Sequence, residues 1–445
     1  MVENILNKSQ NININHLELK NEKYILRNSI KSETKTNGEL FEVDNFIFKP
    51  IVNSKFTFID LFAGIGGFRL ALQNLGGRCV FTSEWDKDAQ ATYKNNFGEV
   101  PFGDITKQEI KVQIPEYFDV LCAGFPCQPF SKGGSQNGFE DTRGTLFFDI
   151  CEIVEKHKPK YLLLENVANL VTHDGGNTYN VIIKHLDELG YFVPDKPLIL
   201  SPDLFGIPIL RPRVYIPCVR KDIAIDKDEF IRKIDKVIEK IKTDKLNSIY
   251  NFIDNTLNED LSDYEIKILE MWDEFYKGID LKIIGFPIWV DFFDFENDLV
   301  EYPEWKQKFI VKNKELYQRN KTFIDKWLSK YDYLKWCVNT HRKLEWQAGD
   351  KYSTIFQCLI QFRPSGVRVK RPDKFSTLVA MNHQQIIGKF RRKISIEESK
   401  LLQSFPKNYR LSKSKNIALK QLGNSVNVDI VETVFKIIID NYEKN

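Results

Sequence analysis

Between residues 56 and 220, short apolar runs of β type alternate with stretches of helical period. That alternation constrains the fold more than any other feature. The runs are FTFIDLF, CVFTSEW, FDVLCAG, YLLLENV and RVYIPCV, and the helical stretches between them include FRLALQNLG and YNVIIKHLDELG. Strands separated by helices pair in parallel, and the helices then cover both faces of the sheet. The expected class is α/β, a mostly parallel sheet with helices on both faces.

The 445 residues leave room for more than this unit. Residues 1–54 are rich in Asn, Lys, Ser and Glu and read as an N-terminal extension with one short strand in FEVDNFIFKP. The alternating part occupies 55–220. From 221 to 387 the composition is charged and aromatic, and DEFIRKIDKVIEKIKTDK has the period of an amphipathic helix with a solvated charged face. Its aromatic-rich part, MWDEFYKGIDLKIIGFPIWVDFF, reads as core. Residues 388–445 end in a helix, NVDIVETVFKIIIDNYEK, and are expected to return to the first unit.

Composition excludes some classes. No run of apolar residues is long enough to cross a membrane as a helix, and MVENILNKSQNININ lacks the apolar stretch of a signal peptide, so a cytoplasmic location is expected. Seven cysteines without a CxxC pair argue against a disulfide framework or a zinc site, and no metal is expected. The net charge of +3 is too small to announce nucleic-acid binding, so any basic footprint must be local.

KFTFIDLFAGIGGFRLAL is a strand, a glycine turn and a helix. Gly64, Gly66 and Gly67 would let backbone approach a ligand where the helix offers free N–H groups, or would serve tight strand–helix packing alone. The second strand ends in SEWDKDA. Glu84 is placed to accept from ribose hydroxyls, Trp85 to stack on an adenine, and Asp104 follows in GDIT. No GK[ST] follows the turn, and Phe68 and Arg69 break the dinucleotide pattern. The combination suits S-adenosylmethionine.

Cys127 follows FDVLCAG between Pro126 and Pro129, at the edge of a parallel sheet where ligands bind. Such a cysteine suits a nucleophile, given a lowered pKa or a base. Glycines 133, 134 and 138 give the next loop freedom to close. Glu165 emerges from YLLLENV at the same edge, either as a partly desolvated proton donor or as a buried salt-bridge partner. Asn166 could cap the next turn.

In order, the chain reads FIDLFAGIGGF, SEWDKDA, GDIT, GFPCQPFS, DTRGTLFFDI, LLENVANL, RPRVYI, LLQSFP and QLGNSVNV. This ordered set resembles the DNA (cytosine-5) methyltransferases of bacterial restriction–modification systems. It covers about 58–216 and 391–429, with a non-matching stretch between. The resemblance implies a Rossmann-like fold, S-adenosylmethionine as cofactor and double-stranded DNA as substrate. It implies Cys127 as the nucleophile toward cytosine C6, Glu165 at N3, and Arg211 and Arg213 holding the base and the loop. Phe62, Leu146 and Asn424 join the cofactor set, although Phe62 and Leu146 are ordinary core on composition alone. Such enzymes flip the target base, and Gln128, Ser131 and Gln136 of the 128–142 loop would touch the backbone or fill the vacated stack.

In the family, the stretch between RPRVYI and LLQSFP reads DNA. Residues 221–387 are therefore expected to be a target-recognition domain, with Arg363, Arg368, Lys370, Arg371, Lys374 and Thr377 toward DNA. Ile209 stands where the family carries a glutamine, and Pro212 separates the arginines, which puts the bracing of that segment in doubt. The implied partners are duplex DNA and a restriction endonuclease acting on the same site without contact, with this chain a monomer. A tRNA-methylating relative would carry a CFT-type signature, which is absent. A non-catalytic relative would have lost Cys127 or Glu165.

Overall fold

A computed structural model describes residues 46–126, 146–223, 226–241, 247–254, 256–257, 259–281, 284–294, 299–378 and 384–439. Cys127, Gln128, Ser131 and Gln136 lie outside the described residues.

The first sheet contains β1 (Phe56–Leu61), β2 (Gly77–Ser83), β3 (Val120–Gly124), β4 (Tyr161–Val167), β5 (Tyr191–Phe192), β6 (Leu198–Leu200) and β7 (Arg213–Arg220). Their order is β2-β1-β3-β4-β7-β5, with β6 also on β7. Between them run α1 (Gly67–Asn74), α2 (Lys87–Phe97), α3 (Gln108–Lys111), α4 (Leu146–His157) and α5 (Asn177–Glu188). Alternate strand residues point to opposite faces, which explains why these runs are apolar throughout. Phe58, Cys122, Leu163 and Tyr215 enter one core; Ile59, Leu121, Leu162 and Val214 enter the other, beneath Ile150, Ile153 and Ile182 of α4 and α5.

β1, β2, β3 and β4 pair in parallel, as expected. RVYIPCV does not: β7 is antiparallel to β4, β5 and β6. The chain returns from β6 to β7 through a link that holds one 3-10 turn, Pro202–Phe205, and no α-helix, and such a direct return places the strands antiparallel. The sheet is mixed. The expected strand in FEVDNFIFKP is also absent from its described part, 46–50. Instead the Ile47 and Phe48 amides bond to the Asn96 carbonyl, and Phe48 packs on Phe97 and Tyr409.

Next come α6 (Lys227–Ile241), α7 (Asp263–Gly278), α8 (Glu304–Arg319) and α9 (Lys321–Tyr331). Phe230 and Ile234 of α6 bury into the first core. The second sheet is ordered β13-β12-β10-β11-β9-β8, from β8 (Ile288–Trp289), β9 (Lys343–Gln347), β10 (Leu359–Arg363), β11 (Gly366–Lys370), β12 (Ile386–Ile387) and β13 (Arg392–Lys393). Leu344, Ile360, Val367 and Val369 pack there with Trp272, Phe275 and Trp327 in a second core, so the aromatic-rich stretch is core as read. Then α10 (Ile396–Leu402), α11 (Lys415–Asn424) and α12 (Val428–Ile439) return to the first unit, where Val431, Val434 and Phe435 join its core. Among the described residues no helix is long and apolar enough to cross a membrane.

Candidate active site

A cavity of about 640 Å³ opens at the C-terminal ends of the parallel strands. Phe62, Gly64, Glu84, Trp85, Asp104, Leu146 and Asn424 line it, and so do Glu165, Arg211 and Arg213. Of the expected cofactor and catalytic residues, the structure brings all but Gly66 and Gly67 of those it describes to one cavity, with Pro126, the neighbour of Cys127 in sequence, in its wall.

The glycine turn divides its labour. Phe62 and Gly64 both adopt left-handed backbone, at φ 55° each, where the chain leaves β1. A Cβ built on Gly64 meets nothing within 4 Å. Gly66 and Gly67 face protein instead: a Cβ would meet Phe97 at 2.5 Å and Val426 at 2.7 Å respectively. They do not line the cavity, so the structure makes them packing glycines and leaves Gly64 facing open space.

Glu84 closes the turn. Its Oε2 accepts from the Gly64 amide at 2.7 Å and its Oε1 from the Asp86 amide at 2.8 Å. Burial raises its pKa, and the amide bonds oppose the rise. Trp85 stands 76% exposed beside it, which for a tryptophan leaves a ring face open to a ligand. Asp86 caps α2 by accepting from the Asp88 and Ala89 amides. Asp104 accepts from the amide and hydroxyl of Thr106 at 3.0 and 2.9 Å.

Glu165 ends the apolar part of β4, level with Gly124 and Tyr215 on its neighbours. It is 8% exposed. Burial raises its pKa, while Arg213 and then Arg211 hold the rise back. Arg213 Nε lies 3.2 Å from Oε1. Asn166 is not the cap of the next turn, although its Oδ1 accepts from the Val167 amide at 2.8 Å. Its Nδ2 donates to the Phe125 carbonyl at 2.9 Å and so braces the segment that leads to Cys127.

The two arginines are placed differently. Arg213 faces Glu165 and also donates to the Pro212 carbonyl. Arg211 is 2% exposed and donates to the carbonyls of Leu378, Gly423 and Ser425 at 3.2, 2.8 and 2.7 Å. It ties three chain segments together beneath the cavity. Ile209 is fully buried and bridges to Phe375 through the main chain.

The residues expected toward DNA are only partly free. Arg368 pairs with Glu345 at 2.6 Å, Lys374 with Asp203 at 2.7 Å, and Lys370 donates to Ser376 at 3.0 Å. Thr377 Oγ1 donates to the Leu210 carbonyl at 2.6 Å. Arg371 lies with the intermediate and exposed residues that follow β11, and Arg363 ends β10 with one guanidinium nitrogen buried.

Sequence reasoning missed one wall. Ile417, Lys420 and Gln421 of α11 line the cavity beside Asn424, and Asp86 and Asp88 face them. Lys420 Nζ lies 2.6 Å from Asp86 Oδ2, and Gln421 Nε2 donates to the Asp88 carbonyl at 3.0 Å. The i, i+3, i+4, i+7 spacing of 417, 420, 421 and 424 carried that information, because such positions share one helix face.

A mixed Rossmann-like sheet whose glycine turn, acidic strand end and buried Glu–Arg pair meet at the C-terminal strand edge defines an α/β methyltransferase. A solved structure described as a prophage-encoded DNA modification methyltransferase of E. coli shares the fold, with a TM-score of 0.51 and 18% identity over 87% of this chain and all of that one. The family model for C-5 cytosine-specific DNA methylases matches residues 56–440. The chain is 31% identical to the type II methyltransferase M.AluI of Cellulosimicrobium cellulans, over 86% of this chain and 92% of that protein. It is 51% identical over 217 residues to the type II methyltransferase M.HpaII of Haemophilus parainfluenzae, a match spanning 48% of this chain and 60% of that protein. The chain belongs to the C-5 cytosine-specific DNA methylase family, the DNA (cytosine-5)-methyltransferases.

Proposed function

We propose that the protein transfers a methyl group from S-adenosylmethionine to C5 of a cytosine within a short specific sequence of double-stranded DNA. It does so as the modifying arm of a restriction–modification system, in the cytoplasm and as a monomer, with an endonuclease sharing its site. The observation that carries this reading is the buried Glu165–Arg213 pair in one cavity with the Gly64–Glu84 turn, next to Pro126.

The cavity fits the cofactor. Trp85 offers a free ring face, Glu84 a carboxylate with remaining lone pairs, and Gly64 an open backbone approach. When bound, S-adenosylmethionine supplies an electrophilic methyl on a sulfonium. Phe62, Asp104, Leu146 and Asn424 would complete its enclosure, and Lys420 would hold α11 against Asp86 at its edge.

Cytosine C5 is a weak nucleophile, so Cys127 thiolate first adds to C6 of the flipped base. Electron density moves onto N3, and Glu165, whose pKa burial raises, donates there in its acid form. Arg213 orients Glu165 and offers its remaining N–H groups to the base. C5 then takes the methyl from the sulfonium, which departs as a neutral thioether; water removes the C5 proton, the C6–S bond breaks to return the thiolate, and N3 gives its proton back to Glu165. Gln128, Ser131 and Gln136 act from the following loop. The 221–387 part reads the duplex, with Arg363 and Arg371 toward DNA and Arg368, Lys370 and Thr377 shaping that surface from their protein contacts.

Conversion sequencing of plasmid DNA from a methylation-free host tests this. Expression of the wild-type chain should protect cytosines in one short context, and Cys127→Ala should abolish the protection. Uniform conversion in both, with folded protein, would overturn the reading.

A further inference from the structure

Ile209 is buried and its side chain can neither donate nor accept a hydrogen bond, so the arginine segment needs a brace from elsewhere. The structure has one, and it comes from the chain that follows β11. Leu210 N–H donates to the Phe375 carbonyl at 2.9 Å, and Phe375 N–H to the Pro208 carbonyl at 2.8 Å. Thr377 and Arg211 add bonds to Leu210 and Leu378. The charged contact of this seam is Lys374 Nζ to Asp203 Oδ2, at 2.7 Å.

Asp203 is poorly placed to stand alone. Its side chain is 9% exposed, and Oδ1 is buried with no hydrogen-bond partner among the described residues. A carboxylate in that position depends on its cation, because an unpaired buried charge is strongly unfavourable. Lys374 is a third exposed and reaches in from the seam's outer edge.

We propose that Asp203 and Lys374 form a positioning pair that clamps residues 374–378 onto 203–211 and thereby holds Arg213 at Glu165 and Arg211 at its three carbonyls. Neither residue of the pair touches the reacting base. The clamp lies where the chain from the second sheet meets the arginine segment, so docking of that sheet on DNA is coupled to alignment of the catalytic acid. Lys374 is accordingly an internal strut rather than a phosphate contact. This inference rests on the methyltransferase reading above.

Four variants test it: Asp203→Asn, Lys374→Gln, their combination, and Lys374→Arg. Single-turnover transfer of labelled methyl to unmethylated plasmid DNA is measured beside affinity for the same DNA and hydrogen exchange at the Leu210 and Phe375 amides. Each of the two neutralising variants should slow transfer about tenfold, the scale of a small misplacement of catalytic groups. DNA affinity should stay within about threefold, the combination should be no slower than the slower single, and Lys374→Arg should retain most of the rate. Both amides should exchange faster. Lys374→Gln keeps the test open if Asp203→Asn fails to fold. Loss of DNA affinity in Lys374→Gln with an unaffected Asp203→Asn would overturn the proposal, as would multiplying effects in the combination. A wild-type chain that transfers no methyl overturns the methyltransferase reading instead. Exchange then decides the clamp, and unchanged protection of both amides in Lys374→Gln overturns it.

Discussion

Glu165 shows how one residue acquires chemistry from its surroundings. YLLLENV placed a carboxyl at the end of an apolar strand, and that much was readable because the apolar run itself implies burial. Whether the carboxyl was a proton donor or half of an ion pair stayed open, and in the structure it is paired and buried at once. Burial favours the neutral acid and Arg213 favours the carboxylate; burial is the larger effect, so the pKa is raised. In the proposed mechanism the acid is the working form. Turnover should therefore hold at low pH and fall as pH rises through the raised value, provided Cys127 is ionised. In Glu165→Gln the rate should drop by about 10²-fold or more, the usual contribution of a positioned acid. The alkaline fall assigned to Glu165 should vanish from the pH–rate profile. An unchanged alkaline limb in that variant would assign the fall to another group.

At the scale of the element, the strand–turn–helix of β1 and α1 was legible as a motif, but its glycines were not legible one by one. All three read alike in sequence. The structure separates them by what a side chain would meet: open space at Gly64, Phe97 at Gly66 and Val426 at Gly67. Val426 lies far along the chain, so no local pattern could have shown the contact. Gly67→Ala should lose about 1–3 kcal/mol of stability through overpacking, with cofactor KM little changed in the surviving fold. Gly64→Ala should lose about 1–2 kcal/mol, from its left-handed backbone alone, and should raise cofactor KM. Thermal denaturation and titration of the cofactor check both. The strand β7 teaches the same limit: RVYIPCV has the apolar content of a buried strand in either direction, and only the short return from β6 reverses it.

For the whole molecule, the decisive contact is Arg211. It draws Leu378, Gly423 and Ser425 to the base of the cavity and so joins the arginine segment, the seam from the second sheet and the returning C-terminal helices. Arg211→Ala would leave those carbonyls buried without their donor. A loss on the order of 3 kcal/mol is expected, seen as a lower thermal midpoint together with lost methyl transfer. Arg213→Ala, at the half-buried partner of Glu165, should lose transfer with a smaller change in midpoint. Equal losses of stability in the two variants would refute this division of roles.

The sequence by itself determined the α/β class, the strand-end location of the site and the ordered motifs that name the family. Each of these is local: apolar period, glycine and acid positions at strand ends, and short stretches that can be read without knowing what folds against them. Tertiary structure decided the rest. It reversed β7, turned two of three glycines into packing residues, made Arg211 a tie and Arg213 the partner of Glu165, and brought Lys420 and Gln421 into the cavity wall. Those outcomes depend on contacts between residues distant in sequence, and the burial that raises the pKa of Glu165 exists only once both faces of the sheet are covered.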